Sequence, residues 1–414
     1  MSLPSYLAVG ILCGLLCGID AGVVAGGLPY LRAAEGFSDS VLSMVAGAMT
    51  GGVLLSMLVG GWLADRMGRL RLIFAGALLH LAGALVVQLA GMTAVGFVLG
   101  RVVQGCGIGC VSVTTPAYLA EAFPTACRGR GVSSFQFSMT AGIVLGAVAS
   151  WSVAFFFGVP GTLEGSAARC GWRLIFAASS VCSFALVVLC RLLPCGSDMG
   201  KEASKAPALR SGLDPRMILL VVLVGLCTSL TGIGLVLDYS VLLLDRVGFS
   251  GLDANLVDFL VKCANFAATL VAMTLVDRVG RRPLLFTGLV GCAVSMLGLG
   301  LCNWAVGRFA LSGNPVIGIV VSMLFVLTVF FFATGPGVIS WLVLAEAVPV
   351  RFRVRGLAIG SVANCAGAFC LLTGFFPLVG AFGTLPVFAL VAGVTLALCA
   401  IIHRLLPETR GVEV

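Results

Sequence analysis

Long apolar runs, separated by short polar segments, make up most of the chain. Twelve runs are long enough to cross a hydrocarbon core of roughly 30 Å, and in lipid each must be helical because its backbone polar groups have no water to bind. The approximate spans are 5–31, 42–63, 72–91, 94–119, 132–157, 172–193, 216–244, 254–276, 283–304, 315–345, 356–380 and 385–405. The pattern predicts an all-α membrane protein with twelve transmembrane helices.

The most polar interior break lies between the sixth and seventh runs. It divides the runs six and six, so the predicted architecture is two six-helix bundles. The predicted parts are an N-terminal bundle at 1–193, a cytoplasmic linker at 194–215, a C-terminal bundle at 216–406 and a cytoplasmic tail at 407–414.

Two polar sequence motifs are each repeated, once in each half of the chain. Residues 119–131 return as residues 344–356, with an acid, a proline and two arginines in register. Residues 65–69 return in the same way as residues 277–281. Two repeats in the same order indicate that the halves are similar and pseudo-symmetric.

Composition and charge agree with a membrane protein. Hydrophobic residues make up 60% of the 414 positions and charged residues 10%, which excludes a water-soluble globule. In alternate connections, eighteen basic residues lie on one side and four, Arg32, Arg169, Arg246 and Arg308, on the other. Because basic residues favour the cytoplasmic side, both termini and both repeated motifs are predicted to be cytoplasmic. We expect a lipid bilayer around the protein and no nucleic-acid partner.

The sequence offers no motif for covalent chemistry. Most of the sixteen cysteines lie in apolar runs, where cysteine behaves as a small hydrophobe, so we assign them no redox role. No Walker-type loop, metal-ligand cluster or nucleophile constellation is present. We therefore expect no enzymatic activity, no cofactor and no metal. The apolar N-terminus predicts a retained first span, and short connections without an Asn-x-Ser/Thr sequon favour a bacterial inner membrane.

Six short motifs occur in a fixed order on these spans. They lie at residues 61–69, 100–101, 116–129, 194–198, 275–283 and 407–411. Together they resemble the sugar porter family of the major facilitator superfamily, with the motif at 194–198 degraded. The resemblance implies the major facilitator fold and secondary transport by alternating access.

Acidic and basic residues of these motifs lie at helix ends that are predicted to be cytoplasmic. Ion pairs between neighbouring helices can hold that side closed and break when it opens. Topology signals and helix caps are the alternative, but acids add nothing to a positive-inside bias, so a latch is favoured for them. The predicted gate residues are Asp65, Arg69, Glu121, Arg128, Asp277, Arg281, Glu346, Arg353, Arg355 and Glu408. Glu121 is expected to pair with Arg128.

Ionisable residues inside spans are costly and are therefore functional candidates. Asp20 lies in a segment that resembles the first helix of proton-coupled sugar porters, and Arg101 is its expected partner. Burial favours the protonated carboxyl group and a nearby cation favours the ionised one, so movement of the partner can load or release a proton. We expect proton coupling at this pair, with a static ion pair as the alternative.

Asp258, Lys262 and His80 are further ionisable residues inside spans. Asp258 and Lys262 form an i,i+4 pair, which fits local neutralisation near the outer surface as well as a role in transport. His80 is expected to pack or to hydrogen-bond locally, and a proton relay is the alternative.

A transported solute in this architecture binds near the midplane, between the halves. The resemblance implies solute contacts at Gln136, Asn265 and Asn364, although a bond between helices explains Asn364 equally well. The remaining predicted substrate-binding residues, most of them in the seventh span, are Thr228, Ser229, Thr231, Asp238 and Thr334.

These positions depart from the family pattern. Two glutamines of the family are replaced by Thr228 and Ser229, a tyrosine by Asp238, and a stacking aromatic by Thr334. Amide donors and a stacking surface are lost together, which disfavours a hexose in the usual pose and leaves room for a pentose, a polyol or another polar solute.

The sequence therefore predicts a monomeric secondary active transporter that moves a sugar-like solute together with a proton. One alternative is a facilitator, or a carrier of a non-sugar solute such as an organic ion or a polyol, on the same fold. The other is a non-transporting nutrient sensor, which the short cytoplasmic tail disfavours.

Overall fold

A computed structural model describes residues 3–90, 92–124, 128–160, 165–193, 214–346 and 353–405. Within these ranges the side chains at 90, 128–130, 165, 273, 276–278, 344–346 and 353–355 are not described. The described residues form fifteen α-helices. The first seven are α1 (Leu3–Gly22), α2 (Val24–Glu35), α3 (Asp39–Met67), α4 (Arg69–Ala90), α5 (Ala94–Ala122), α6 (Arg128–Phe157) and α7 (Gly165–Leu192). The others are α8 (Pro215–Leu230), α9 (Ile233–Val247), α10 (Gly251–Val279), α11 (Arg281–Phe309), α12 (Pro315–Thr334), α13 (Pro336–Glu346), α14 (Arg353–Phe382) and α15 (Thr384–Leu405).

Among the described residues, twelve helical segments are long and apolar enough to cross a membrane, which confirms the predicted number of spans. Three predicted runs nevertheless contain two helices each instead of one. The first run divides at Val23, the seventh at Thr231 and Gly232, and the tenth at Gly335. At the second of these breaks Gly232 has φ +84°, a left-handed conformation that a residue without a Cβ adopts at little cost.

The chain divides into two compact units, Met1–Arg210 and Ser211–Val414. The predicted linker at 194–215 lies outside the described residues, apart from Asp214 and Pro215. Asp214 caps α8, because its carboxylate accepts a hydrogen bond from the backbone N–H of Arg216 at 3.0 Å.

Helices pair in the same order in both units. In the first unit α1 packs on α6, α3 on α5, and α4 on α7. In the second unit α8 packs on α14, α10 on α12, and α11 on α15. Counted as spans, each unit pairs its first with its fifth, its second with its fourth and its third with its sixth, as expected of two similar halves.

Glycines bring α1 and α6 into backbone contact. A Cβ at Gly18 would overlap the carbonyl oxygen of Met139, and one at Gly142 would lie 2.8 Å from the carbonyl oxygen of Leu15. Lipid provides no hydrophobic drive between helices, so close packing through small residues stabilises the pair. This contact fixes the side of α1 that carries Asp20 relative to its neighbours.

Candidate functional site

A buried ion pair lies in the middle of the first unit. Asp20 on α1 and Arg101 on α5 are both fully buried. The Nη1 atom of Arg101 donates to both carboxylate oxygens of Asp20, at 3.1 and 3.0 Å. The structure thus brings together the two residues that the sequence suggested as proton-coupling residues.

Asp20 has further partners on two other helices. The hydroxyl of Ser179 on α7 donates to Asp20 Oδ1 at 2.9 Å. The Nε2 atom of His80 on α4 lies 3.4 Å from the same oxygen, and His80 Nδ1 lies 2.7 Å from the hydroxyl oxygen of Ser183. Four helices of the first unit therefore meet at one carboxylate.

The guanidinium of Arg101 contacts more than Asp20. Its Nη1 donates to the side-chain oxygen of Gln104 at 3.2 Å, and its Nη2 lies 3.0 Å from the sulfur of Met49. The ring of Phe176 lies 5.3 Å from the guanidinium carbon. Within the described part of the chain, Arg101 Nε and Gln104 Nε2 have no hydrogen-bond partner.

A cluster with this composition can bind and release a proton. The charges of Asp20 and Arg101 offset each other while they are in contact, and separation would leave each charge in a low-dielectric environment. A proton on the carboxyl group removes that cost for Asp20. The arrangement can therefore exchange one contact with Arg101 for one bound proton.

Sequence reasoning missed several members of this cluster. It predicted a local role for His80, whereas His80 bonds to residues that are 60 and 103 positions away. Ser179 and Ser183 were not singled out at all. A usable signal was present, because serines four residues apart lie on the same face of a helix and offered hydroxyl partners.

A second buried ion pair lies in the second unit. Lys262 Nζ donates to Asp258 Oδ2 at 2.7 Å within α10, and both side chains are almost completely buried. The hydroxyl of Ser240 on α9 donates to the other oxygen of Asp258. The pair expected from the i,i+4 spacing is present, and it also binds α9 to α10.

The polar residues near the breaks of α8 and α12 are bonded to their own helices. The hydroxyls of Thr228, Ser229 and Thr231 donate to backbone carbonyls three or four residues earlier, and so does that of Thr334. A hydroxyl that donates in this way keeps its lone pairs, so these groups can accept hydrogen bonds from a solute.

The other predicted substrate-binding residues differ in exposure. Gln136 on α6 is exposed, Asp238 and Asn364 are half-buried, and Asn265 on α10 is buried. Tyr239, next to Asp238, donates its hydroxyl to the carbonyl oxygen of Leu372 at 2.7 Å. Tyr239 thereby ties α9 to α14.

The predicted gate is described in part. Arg69 at the start of α4 bonds to Asp65 on α3 at 2.7 Å and to Glu121 on α5 at 3.3 Å. Arg69 therefore joins three helices, and the partner found for Glu121 is Arg69. Arg281 is at the start of α11. The other predicted gate side chains, those of Arg128, Asp277, Glu346, Arg353, Arg355 and Glu408, lie outside the described residues.

Replacing Arg69 with glutamine is expected to lower stability modestly. The change removes two charge-assisted contacts at a partly exposed site, which costs roughly 1 kcal/mol. Thermal unfolding in detergent measures the effect. Arg71→Gln is the matched control because Arg71 is exposed on the same helix. Equal melting temperatures for the two variants would contradict a structural role for the Arg69 contacts.

No group of three or more His, Cys, Asp and Glu side chains within the described ranges could hold a metal ion. No described cysteine forms a disulfide.

Comparison with known proteins gives the family. A family profile for "Sugar (and other) transporter" matches residues 7–195 and 197–414, nearly the whole chain. A glucose transport protein of Synechocystis is 27% identical, with 89% of this chain and 88% of the relative covered. The major myo-inositol transporter of Bacillus subtilis is also 27% identical, with coverages of 94% and 88%. The D-xylose-proton symporter-like 1 protein of Arabidopsis thaliana is 28% identical, with coverages of 89% and 80%.

A solved structure shares the fold. The crystal structure of a D-xylose-proton symporter superposes with a TM-score of 0.83, covers 100% of both chains and is 24% identical. The inward open conformation of the E. coli xylose transporter gives a TM-score of 0.80 at 22% identity, with coverages of 99% and 98%. The chain is therefore a multi-pass integral membrane protein of the major facilitator fold, and it belongs to the sugar transporter family.

Proposed function

We propose that the protein moves a sugar, or a sugar-like polar solute, across the membrane together with a proton. Asp20 takes up the proton, and Arg101 neutralises Asp20 when the proton is absent. The proposal applies to this chain what the names of its relatives say of them, namely transport of glucose, of myo-inositol, or of D-xylose with a proton.

The observation that carries the proposal is the buried contact between Asp20 and Arg101, at 3.0 Å. A carboxylate inside a membrane span is energetically costly, so such a residue is a candidate for a functional role. Packing of the first unit does not by itself require an ion pair. Replacing a buried ion pair with apolar side chains of similar volume often leaves protein stability unchanged or higher.

Among sugar-like solutes, we favour a polyol. The hydroxyls of Thr228, Ser229, Thr231 and Thr334 donate to their own helices, so they offer acceptors rather than donors. A solute that carries many hydroxyl donors fits such groups. We include Gln136, Asp238, Asn265 and Asn364 among the proposed solute contacts.

We further propose that the Arg69 cluster is a latch on the cytoplasmic side and that both termini are cytoplasmic. The excess of basic residues on one side supports this orientation. The latch holds the ends of α3, α4 and α5 together through Asp65, Arg69 and Glu121. A monomer in a bacterial inner membrane is the proposed setting.

The test is uptake of labelled solutes by the purified protein in liposomes. D-xylose, L-arabinose, D-glucose and myo-inositol are offered with and without an acid-outside pH gradient of about two units, which stores roughly 2.7 kcal/mol per proton. We expect at least one solute to accumulate against its gradient, and we expect a protonophore to abolish the accumulation. Equal uptake with and without the gradient would leave a facilitator as the function, and no uptake of any of these solutes would reject a sugar or polyol carrier.

A further inference from the structure

His80 is a buried ionisable residue that the proposed mechanism does not use. Its side chain is fully buried, and both ring nitrogens have partners, Asp20 at 3.4 Å and Ser183 at 2.7 Å. Most of α4 is apolar, so burying a histidine there costs free energy unless hydrogen bonds satisfy its ring nitrogens. The ring connects α4 to α1 on one side and to α7 on the other.

The groups around His80 define its charge environment. Asp20, Arg101 and His80 are fully buried and supply a carboxylate, a guanidinium and an imidazole. Helix α1 contributes Asp20 and, beside it, the thiol of Cys17. Helix α5 contributes Arg101, and α7 contributes the uncharged hydroxyls of Ser179 and Ser183. Helix α3 adds the sulfur of Met49 next to Arg101.

The pair of Asp20 and His80 can hold one proton in either of two places. With the proton on Asp20, the carboxyl O–H donates to His80 Nε2, and Nδ1–H donates to the hydroxyl oxygen of Ser183. Transfer breaks the O–H bond and forms the N–H bond at Nε2, so the pair becomes a carboxylate and an imidazolium. No other bond changes, because Nδ1–H is donated to Ser183 before and after the transfer.

The pair without the extra proton has a defined tautomer as well. Asp20 is then ionised, so neutral His80 keeps its hydrogen on Nε2, where the carboxylate accepts it. Nδ1 is bare and accepts the hydroxyl hydrogen of Ser183. Loss of the proton to water therefore leaves both ring nitrogens of His80 hydrogen-bonded. Ser183 makes this possible because its hydroxyl can either accept or donate a hydrogen bond.

We propose that Asp20 and His80 share the coupling proton, so that His80 is a second proton-carrying residue of the transporter. The inference rests on the proposed proton symport and adds an imidazole, whose ring nitrogens can carry a proton, beside the carboxylate of Asp20. When Arg101 contacts Asp20, the extra proton is not needed. When Arg101 withdraws, one proton spread over Asp20 and His80 replaces its charge.

The chain is well suited to a direct test because it contains two histidines, His80 and His403. The protein is labelled with ¹⁵N-histidine and placed in lipid nanodiscs, and His403→Gln assigns the two sets of signals. His403 is exposed at the end of α15. We expect signals of the neutral Nε2–H tautomer of His80 at about pH 8 and of imidazolium at about pH 5, because a shared proton resides partly on the ring when the pair is protonated.

The Asp20→Asn variant separates a shared proton from a structural histidine. It removes the negative charge beside His80 and leaves Arg101 nearby, so at about pH 6 the imidazolium fraction should fall at least about fivefold. A ring that stays neutral from about pH 8 to about pH 5 in the unmodified protein would overturn the inference. An imidazolium fraction that Asp20→Asn does not change would also overturn it.

Transport supplies an independent readout. Uptake by the unmodified protein should rise as the external pH falls from about 8 to about 6, and in His80→Gln that rise should shrink to less than about twofold. Glutamine can bond to Asp20 or Ser183 but cannot carry a proton. His403→Gln should keep the full rise. A His80→Gln variant with the unmodified pH profile would overturn the inference, and if that variant does not fold, the spectra of the unmodified protein still decide.

The two proposals fail in different ways. Uptake that ignores the pH gradient in the unmodified protein would reject proton symport and, with it, a transport role for His80. Uptake that follows the gradient while His80 stays neutral throughout would reject the role of His80 alone.

Discussion

Replacement of Asp20 with asparagine is expected to abolish uphill accumulation of solute while exchange of solute across the membrane continues. Asparagine has nearly the shape of aspartate, but it cannot bind and release a proton. A gradient of about two pH units supports roughly hundredfold accumulation at one proton per solute, and the variant should reach no more than equal concentrations on the two sides.

The loss of charge also affects folding, so the test needs a second variant. Asp20→Asn leaves the buried guanidinium of Arg101 without a counter-ion, and breaking a buried pair in this way costs roughly 3–5 kcal/mol. Gln104, Met49 and Phe176 remain around the guanidinium. The double variant Asp20→Asn, Arg101→Gln removes both charges and should recover much of the melting temperature.

The combination separates coupling from stability. Accumulation should remain absent in the double variant even though its stability recovers, since no group at position 20 can carry the proton. Proteoliposome uptake and thermal unfolding measure the two quantities on the same preparation. Accumulation at the unmodified level in a well-folded Asp20→Asn protein would show that the proton is carried elsewhere.

Replacement of Lys262 with methionine is expected to destabilise the second unit strongly. Lys262 is fully buried and bonds to Asp258 at 2.7 Å, so its loss leaves a carboxylate in the interior with Ser240 as the remaining donor among the contacts described above. The cost of such an uncompensated charge is roughly 3–5 kcal/mol. We expect the melting temperature in detergent to fall by about 10 °C or more.

Two matched variants show whether the buried charge is the cause. Asp258→Asn combined with Lys262→Met removes both charges and should recover at least half of the lost stability. Asp253→Asn changes an exposed acid in the first turn of the same helix and should cost less than about 1 kcal/mol. A Lys262→Met protein as stable as Asp253→Asn would mean that Asp258 finds another partner.

The twelve spans were predictable because lipid leaves few choices. An apolar run of sufficient length must be helical, and the charge bias divides the chain into spans and connections. The breaks at Val23 and Gly232 were not predictable in the same way, whereas Pro336 directly after Gly335 is a helix-breaking signal. Apolar composition continues across each of them, and nothing distinguishes Gly232 in the sequence from the other glycines of the 55.

The sequence predicted the charged residues of the candidate site, because a charge inside a membrane span carries a large free-energy cost. A charge inside a span stands out, so Asp20, Arg101, Asp258 and Lys262 were all found from the sequence. Their neighbours depend on which helix lies beside which and on the rotation of each helix. Periodicity does not report those quantities, and for that reason the contact between His80 and Asp20 came from the structure.

The predicted gate residues were chosen from the repeated motifs, whereas the contacts of Arg69 depend on which helix ends lie beside it. Glu121 contacts Arg69 across 52 positions of the chain. The expected pair of Glu121 and Arg128 stays a prediction, because the side chain of Arg128 lies outside the described residues.

The break in the seventh span has a mechanical consequence. Before the break, the carbonyl oxygen of Leu230 is held by the hydroxyl of Thr395 at 2.9 Å. After it, α9 is tied to its neighbours by Tyr239 and Ser240. Thr231 and Gly232 are the two residues between α8 and α9. Helix α9 has 15 residues and is about 22 Å long, so a rotation of about 10° at Thr231 and Gly232 would move its far end by roughly 4 Å and would have to break the contacts of Tyr239 and Ser240.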